Sequence, residues 1–204
     1  MIPRTRFVTP SITLVALLAA AYGGATEKAL EIGHATDYAH QTSEEVTVGA
    51  KPFSNQELVS TAFGKKTDLL RYGVLPVLVV VENKRGKALD LRDLEVNLVA
   101  ADGRHASAVS PEDVPFMATA GKHPSQSGVH MPLPVPLPKK KNPLETPSIV
   151  ERAFSAKMLP AGDSASGFFY FEAKPETGDK VYLNGLRDAR SGQEITYFEF
   201  ALDQ

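Results

Sequence analysis

The chain has 204 residues, no cysteine, 43% hydrophobic residues and a formal net charge of −2. Length and apolar content suit one globular domain with its own core, and without cysteine there is no thiol for a disulfide or a lipid anchor, so that core alone must hold the fold. The 22 basic residues do not outnumber the 24 acidic ones, which argues against partners that are nucleic acid or an anionic membrane surface.

Residues 1–25 have the form of a secretory signal peptide. Arg4 and Arg6 supply the positive start, Ile12 to Ala21 an apolar run, and Ala19, Ala21, Gly23 and Ala25 the small residues of a cleavage site. Cleavage is expected after Ala25, with Ala21 as the alternative. The run falls short of the roughly 20 apolar residues of a spanning helix. Residues 26–204 are then a single exported domain, periplasmic or secreted, with net charge −4 and no transmembrane segment after cleavage.

In the mature part, Ser54-Asn55-Gln56-Glu57 has the pattern of a capping box, with Ser54 as the cap. Leu58, Val59, Ala62 and Phe63 follow at helical spacing, and Gly64 is placed to end the helix. Val77 to Glu82 comes next, with Val77, Val79 and Val81 on one face and Leu78 and Val80 on the other. A run that is apolar on both faces predicts a central strand, with Pro76 at its start. Asn83 to Lys87 turns the chain, and Leu94, Val96 and Leu98 alternate with Glu95 and Asn97 as a half-buried strand does. Asp102-Gly103 ends that strand.

Ser110 to Ser148 holds nine of the 15 prolines and predicts a long loop, because proline interrupts helices and central strands alike. Within it Pro132, Pro134, Pro136 and Pro138 alternate with apolar residues before Lys139, Lys140 and Lys141. The spacing predicts an extended, polyproline-like strip. Two readings stay open: a recognition strip for an envelope partner, or a surface loop laid across the domain.

Ser148 to Met158 offers a second helix, with Val150, Ala153, Phe154 and Met158 on one side, although the same residues also suit a short irregular strand. The turn Leu159 to Ser164 feeds an aromatic strand, Gly167 to Glu172. Val181, Leu183 and Leu186 in one strand and Ile195 to Leu202 in another close the chain as a hairpin. Strands at this spacing, with one or two short helices, predict a mainly β protein: an immunoglobulin-like antiparallel β-sandwich.

No catalytic, metal or cofactor signature stands out. Gly162 to Gly167 is close to a nucleophile elbow, but Ser166 occupies the second glycine's place and the segment enters a strand instead of a helix. Gly64-Lys65-Lys66-Thr67 lacks the earlier glycine of a phosphate loop. The histidines are dispersed. Met117, His123, His130 and Met131 form the one grouping with copper-like ligand chemistry, and they match no established spacing.

Phe63-Gly64-Lys65 and Gly73 to Asn83, together with Leu159 to Ser164 and Gly167 to Phe171, resemble a group of uncharacterised exported bacterial proteins and, more distantly, extracytoplasmic immunoglobulin-like domains of the DUF4352 type. There a strand ending in a V-x-N turn precedes a P-G-x-S-x-x-G turn and an aromatic strand. The resemblance spans roughly Phe53 to Leu202 and implies fold, with no catalytic residues to carry over. Many such relatives look like lipoproteins, and the missing cysteine departs from that. The expected function is a noncatalytic exported binding or accessory protein of the cell envelope, with an envelope protein or cell-surface component as partner and no cofactor. The alternatives are a periplasmic copper-binding protein using the 117–131 segment and a serine hydrolase using Ser164 or Ser166.

Overall fold

The computed structural model describes residues 30–118, 142–195 and 197–203. In chain order the elements are β1 (Ala39–Ser43), β2 (Val46–Pro52), α1 (Gln56–Phe63), β3 (Val74–Asn83), β4 (Leu89–Asp90), β5 (Glu95–Val99), β6 (His105–Val109), α2 (Val114–Met117), α3 (Pro147–Glu151), β7 (Met158–Leu159), β8 (Ser164–Glu172), β9 (Lys180–Asn184), β10 (Arg187–Asp188) and β11 (Phe198–Ala201). The large sheet runs β1-β2-β3-β8-β6-β5-β9-β11, and a short sheet runs β10-β4-β7. Its ladders are antiparallel, as a β-sandwich requires.

β3 organises the molecule because both of its faces are buried along its whole length. Leu75, Val77, Val79 and Val81 join Val48 and Phe171 against Val96, Leu98, Val181 and Phe198, so the β5, β9 and β11 half of the sheet folds over the β2, β3 and β8 half. Leu78 and Val80, on the other face, pack with Phe168 and Tyr170 beneath Val59 and Phe63 of α1 and Ile149 of α3. The sandwich therefore carries a helical layer on one outer face, and each apolar side chain so buried stabilises it by about 1.5–3 kcal/mol. Tyr170 anchors that layer through its hydroxyl, which donates to the Ile149 carbonyl at 2.6 Å.

The strand starts earlier than the sequence predicts, at Val74, which puts Pro76 inside it. Its carbonyl, like the amide a non-proline would have there, faces β2, and it accepts from Phe53 just where β2 ends at Pro52. A missing donor at the end of the neighbouring strand costs little.

Asn83 ends β3 and is 1% exposed. Its Nδ2 donates to the carbonyls of Lys87 (2.8 Å), Leu159 (3.2 Å) and Pro160 (2.9 Å), and its Oδ1 accepts from the Arg85 amide. The Asn83 amide donates to Asp163 and the Asn83 carbonyl accepts from Gly162. One side chain thus fastens the 83–87 turn to the 159–163 turn. Gly167, the last residue of the second turn motif, has the backbone of Phe154 against it: a Cβ there would stand 2.4 Å from the Phe154 Cα.

Several expectations need correction. The cap of α1 is Asn55, whose Oδ1 accepts from the Leu58 amide, and not Ser54. The second helix stops at Glu151; beyond it Ala153 bridges Phe168, and Val150 and Met158 are exposed, so the expected shared face does not form. Leu186 is buried but lies beyond β9, because Gly185 at φ 82° turns the chain. The final strand is confined to Phe198–Ala201, and it pairs with β9 as the hairpin predicts. The 110–148 loop carries α2 and the start of α3 at its ends.

The β1–β2 hairpin escaped the sequence reading. Its turn residues are Glu44 (φ 48°) and Glu45 (φ 63°), both left-handed. Two-residue hairpins need that conformation, yet glycine and asparagine are the residues that usually supply it. β1 also lies against β11, where the Glu199 amide donates to Gln41 Oε1 at 2.8 Å.

Candidate functional site

β6 belongs to both halves of the sandwich. It pairs with β5 at Val99↔His105, Leu98↔Ala106 and Asn97↔Ser107, but meets β8 only at Ala108↔Phe171 and Val109↔Tyr170. Toward the start of β6 the two strands part. The gap is a mouth of about 670 Å³ whose walls include Leu98, His105, Ala106, Glu172, Ala173 and Lys174. Openings of this kind at the end of a β-sandwich or barrel are common places for ligands, and the volume is within the usual range.

The backbone of the two strands faces across this fork, and the Ala108↔Phe171 pair already joins the Glu172 amide to the Ser107 carbonyl, so only His105 and Lys174 lie in its open part. Ala100 donates to the Arg104 carbonyl, so the alternation of an antiparallel strand turns the amides and carbonyls of His105 and Ser107 away from β5 and toward β8. Ala173 donates to the Gly73 carbonyl, and by the same alternation those of Glu172 and Lys174 turn away from β3 and toward β6.

Asp179 completes the wall. The residue is 4% exposed; its Oδ2 accepts from the Glu176 amide at 2.9 Å, while its Oδ1 is buried without a hydrogen-bond partner. Buried carboxylate oxygens are ordinarily paired, because leaving one unpaired costs about 1–3 kcal/mol or more. Arg104 makes no hydrogen bond to it but lies within its field: the guanidinium pairs with Asp102 at 2.6 Å, approaches Glu176 at 3.9 Å, and Asp179 is among the carboxylates that favour its charged form.

A second cleft, of about 310 Å³, brings Ser164 together with His34, Glu82 and Lys84. Glu82 Oε1 lies 3.0 Å from His34 Nδ1 and accepts from the Ala35 amide at 3.0 Å. The amide bond, helped by His34 and Lys84, holds the Glu82 carboxyl below its ordinary range. A histidine oriented by a carboxylate is half of a nucleophile-activating relay. No hydrogen bond joins Ser164 to His34 among the described residues, so the serine lacks the contact that would draw off its proton. Ser166 lies two residues along β8, paired with Val80, outside this cleft.

Most of the other sequence candidates fall outside the described residues. Pro132, Pro134, Pro136, Pro138 and Lys139 to Lys141 lie outside the described residues, as do the signal-peptide segment and His123, His130 and Met131. Met117 ends α2 and packs against the helical layer. Among the described residues no group of three or more acidic, histidine or cysteine side chains is placed to hold a metal ion, and no helix is long and apolar enough to cross a membrane.

Sequence reasoning missed the fork. Nothing in the residues of β6 or β8 marks where their ladder stops, since that depends on how the two halves of the sheet diverge.

No family model matches this sequence, and no curated protein matches it. Among solved structures, the chain is similar to ycdA of Bacillus subtilis, whose lipoprotein status is itself a proposal, at 14% identity and TM-score 0.38 over 82% of this chain. It spans only 39% of that protein. The secreted protein MPT63 of Mycobacterium tuberculosis is similar at 15% identity and TM-score 0.35, over 82% of this chain and 95% of that one. At such scores the β-sandwich assignment stands on the strands and cores described above.

Proposed function

We propose that the protein is a noncatalytic, exported binding or accessory component of the cell envelope, and that the fork between β6 and β8 is its ligand site. The observation that carries this reading is the interrupted ladder, which leaves a walled mouth beyond the last β6–β8 pair, lined by Leu98, His105, Ala106, Ala173 and Lys174. The leader-like residues 1–25 support export to the periplasm or beyond. The paired V-x-N and P-G-x-S-x-x-G turns, joined through Asn83, support kinship with the exported immunoglobulin-like domains that the sequence resembles.

The test begins with the full chain, expressed with its own leader and purified from the fraction it reaches. Thermal unfolding is then followed with the low-molecular-mass fraction of an envelope extract. Tm should rise for the native protein and stay unchanged for Ala100→Trp, which fills the mouth. Equal shifts in both proteins, or none in either, would overturn the assignment of the site. The strip Pro132 to Lys141 remains a proposed second contact with an envelope partner, and unchanged capture of that partner after deleting residues 132–138 would remove it.

A further inference from the structure

We propose that a further cleft, between residues 91–94 and 154–157 over Phe169, takes a single-chain amphiphilic anion: an alkyl tail enters between the halves of the sandwich and its carboxylate stays beside Lys157. This cleft shares no lining residue with the fork, so the inference goes beyond the reading above.

The first argument is an unfinished layer of core. Leu94, just before β5, packs on the same core as Val96 and Leu98, and Phe169 on the same core as Phe171. Val96, Leu98 and Phe171 are buried, whereas Leu94 and Phe169 are only half-buried. The two halves part here, and the segment after α3 closes the gap incompletely. Phe154 stacks on Phe169 with ring centroids 5.4 Å apart, and the next inward residue, Ala156, is small. What remains is a cleft of about 420 Å³ whose walls are Leu91, Leu94, Phe154, Ala156 and Phe169. That volume is within the range of small-ligand sites. It has room for one alkyl chain and not for the two tails of a membrane phospholipid. Each methylene drawn from water onto these walls should tighten binding by about fourfold.

The second argument is charge. Arg92 and Lys157 stand at the cleft, and no carboxylate is among its lining residues. Asp90 occupies Arg92, whose Nε lies 3.0 Å from both of its oxygens, and the nearby Asp93 is engaged by Arg187 at 3.3 Å. Lys157 is exposed and has no ion-pair partner among the described residues. A tail seated against Phe169 therefore ends beside an ammonium that attracts an anionic head and repels a cationic one.

Isothermal titration calorimetry on the purified full chain tests both arguments, with decanoate, octanoate and decyltrimethylammonium each kept below its micellar concentration. Decanoate should bind about tenfold more tightly than octanoate, because two methylenes separate them. It should also bind about tenfold more tightly than decyltrimethylammonium, and Lys157→Gln should cost decanoate about fivefold and narrow that preference. Ala156→Leu, which fills the cleft, should abolish decanoate binding with Tm within a few degrees of native; should that variant fail to fold, Ser155→Trp makes the same test from the rim. Ala100→Trp, at the fork, should bind decanoate as the native protein does. Equal affinity for decanoate and octanoate would overturn tail insertion, and equal affinity for the two decyl compounds would overturn the charge assignment. Decanoate binding that survives filling of the cleft, or that is lost in Ala100→Trp, would overturn the location. Absence of decanoate binding, with or without sedimentation of the protein on phosphatidylglycerol vesicles, would overturn the proposal as a whole.

Discussion

Replacing Asn83 with alanine removes two amide protons shared among three carbonyls and the acceptor for the Arg85 amide. The Leu159 carbonyl keeps the Leu89 amide opposite it in the short sheet, the Pro160 carbonyl keeps the Asp163 amide, and the Lys87 carbonyl is only partly buried. Four hydrogen bonds of the side chain are lost at about 0.5–1.5 kcal/mol each, and because their carbonyl partners keep another donor or water the loss should lie in the lower part of that range, about 2–4 kcal/mol. That is a large part of the roughly 5–15 kcal/mol that holds a domain together. In urea, with a slope of about 2 kcal/mol/M, the midpoint should fall by about 1–2 M at unchanged slope. Asn83→Asp makes the argument sharper. It keeps an acceptor for Arg85 but sets a carboxylate against three carbonyls, so folding favours its protonated form and its pKa rises in the folded state. The extra penalty is absent below the unfolded value of roughly 3.9 and grows as pH climbs above it. Asn83→Asp should therefore be less stable than Asn83→Ala near neutral pH and approach it in acid. If the aspartate variant matches native stability near neutral pH, the three-carbonyl clamp does not exist.

Other expectations follow from the same contacts. Gly167→Ala should destabilise by about 1–3 kcal/mol, because its Cβ meets the Phe154 backbone and not a movable side chain; a denaturation midpoint equal to native would mean that the 152–154 segment does not lie on β8. Glu45→Gly should stabilise by about 1 kcal/mol, since Glu45 occupies φ 63° and glycine enters that region without the steric cost; calorimetry showing a loss would contradict the hairpin turn. Asp188 accepts from the Ser191 and Arg190 amides near Lys87, which holds its carboxyl at about 2 against an ordinary 3.8. A depressed carboxylate stabilises above its unfolded pKa and loses that contribution as pH falls through the folded one. The Tm gap between native protein and Asp188→Asn should thus be open near neutral pH and close between 3.8 and about 2; a gap constant with pH would refute it. A fluorophosphonate probe should leave Ser164 and Ser166 unmodified, and mass-spectrometric labelling of either would reopen the hydrolase alternative.

The central strand was legible because Val77 to Val81 is apolar on both faces, which two-sided burial alone explains. The sequence could not say what lies on each side. One face meets the other half of the sandwich and the other meets helices whose apolar residues, Val59, Phe63 and Ile149, come from distant segments. The aromatic strand and its proline and glycine turn were legible for local reasons. β1 and β2 were hidden because Glu44 and Glu45 take a backbone conformation that their side chains disfavour, held by the tertiary ladder to β3. Asn83 read as a turn residue, and only the approach of residues 159–160 made it a tether. The candidate site lay furthest from the sequence: a ladder that ends after two pairs is a property of sheet divergence, which no residue of β6 or β8 announces.

The seam where Gln41 receives the Glu199 amide bears on how copies of this molecule behave in a crowd. Flanks of sheets invite neighbouring molecules to zip on and polymerise. With first and last strands lying side by side, and a glutamine side chain occupying a backbone donor that would otherwise recruit another chain, that route to fibres is largely sealed. Gln41→Ala would reopen it, and concentrated solutions of the variant should show self-association by light scattering that the native protein does not.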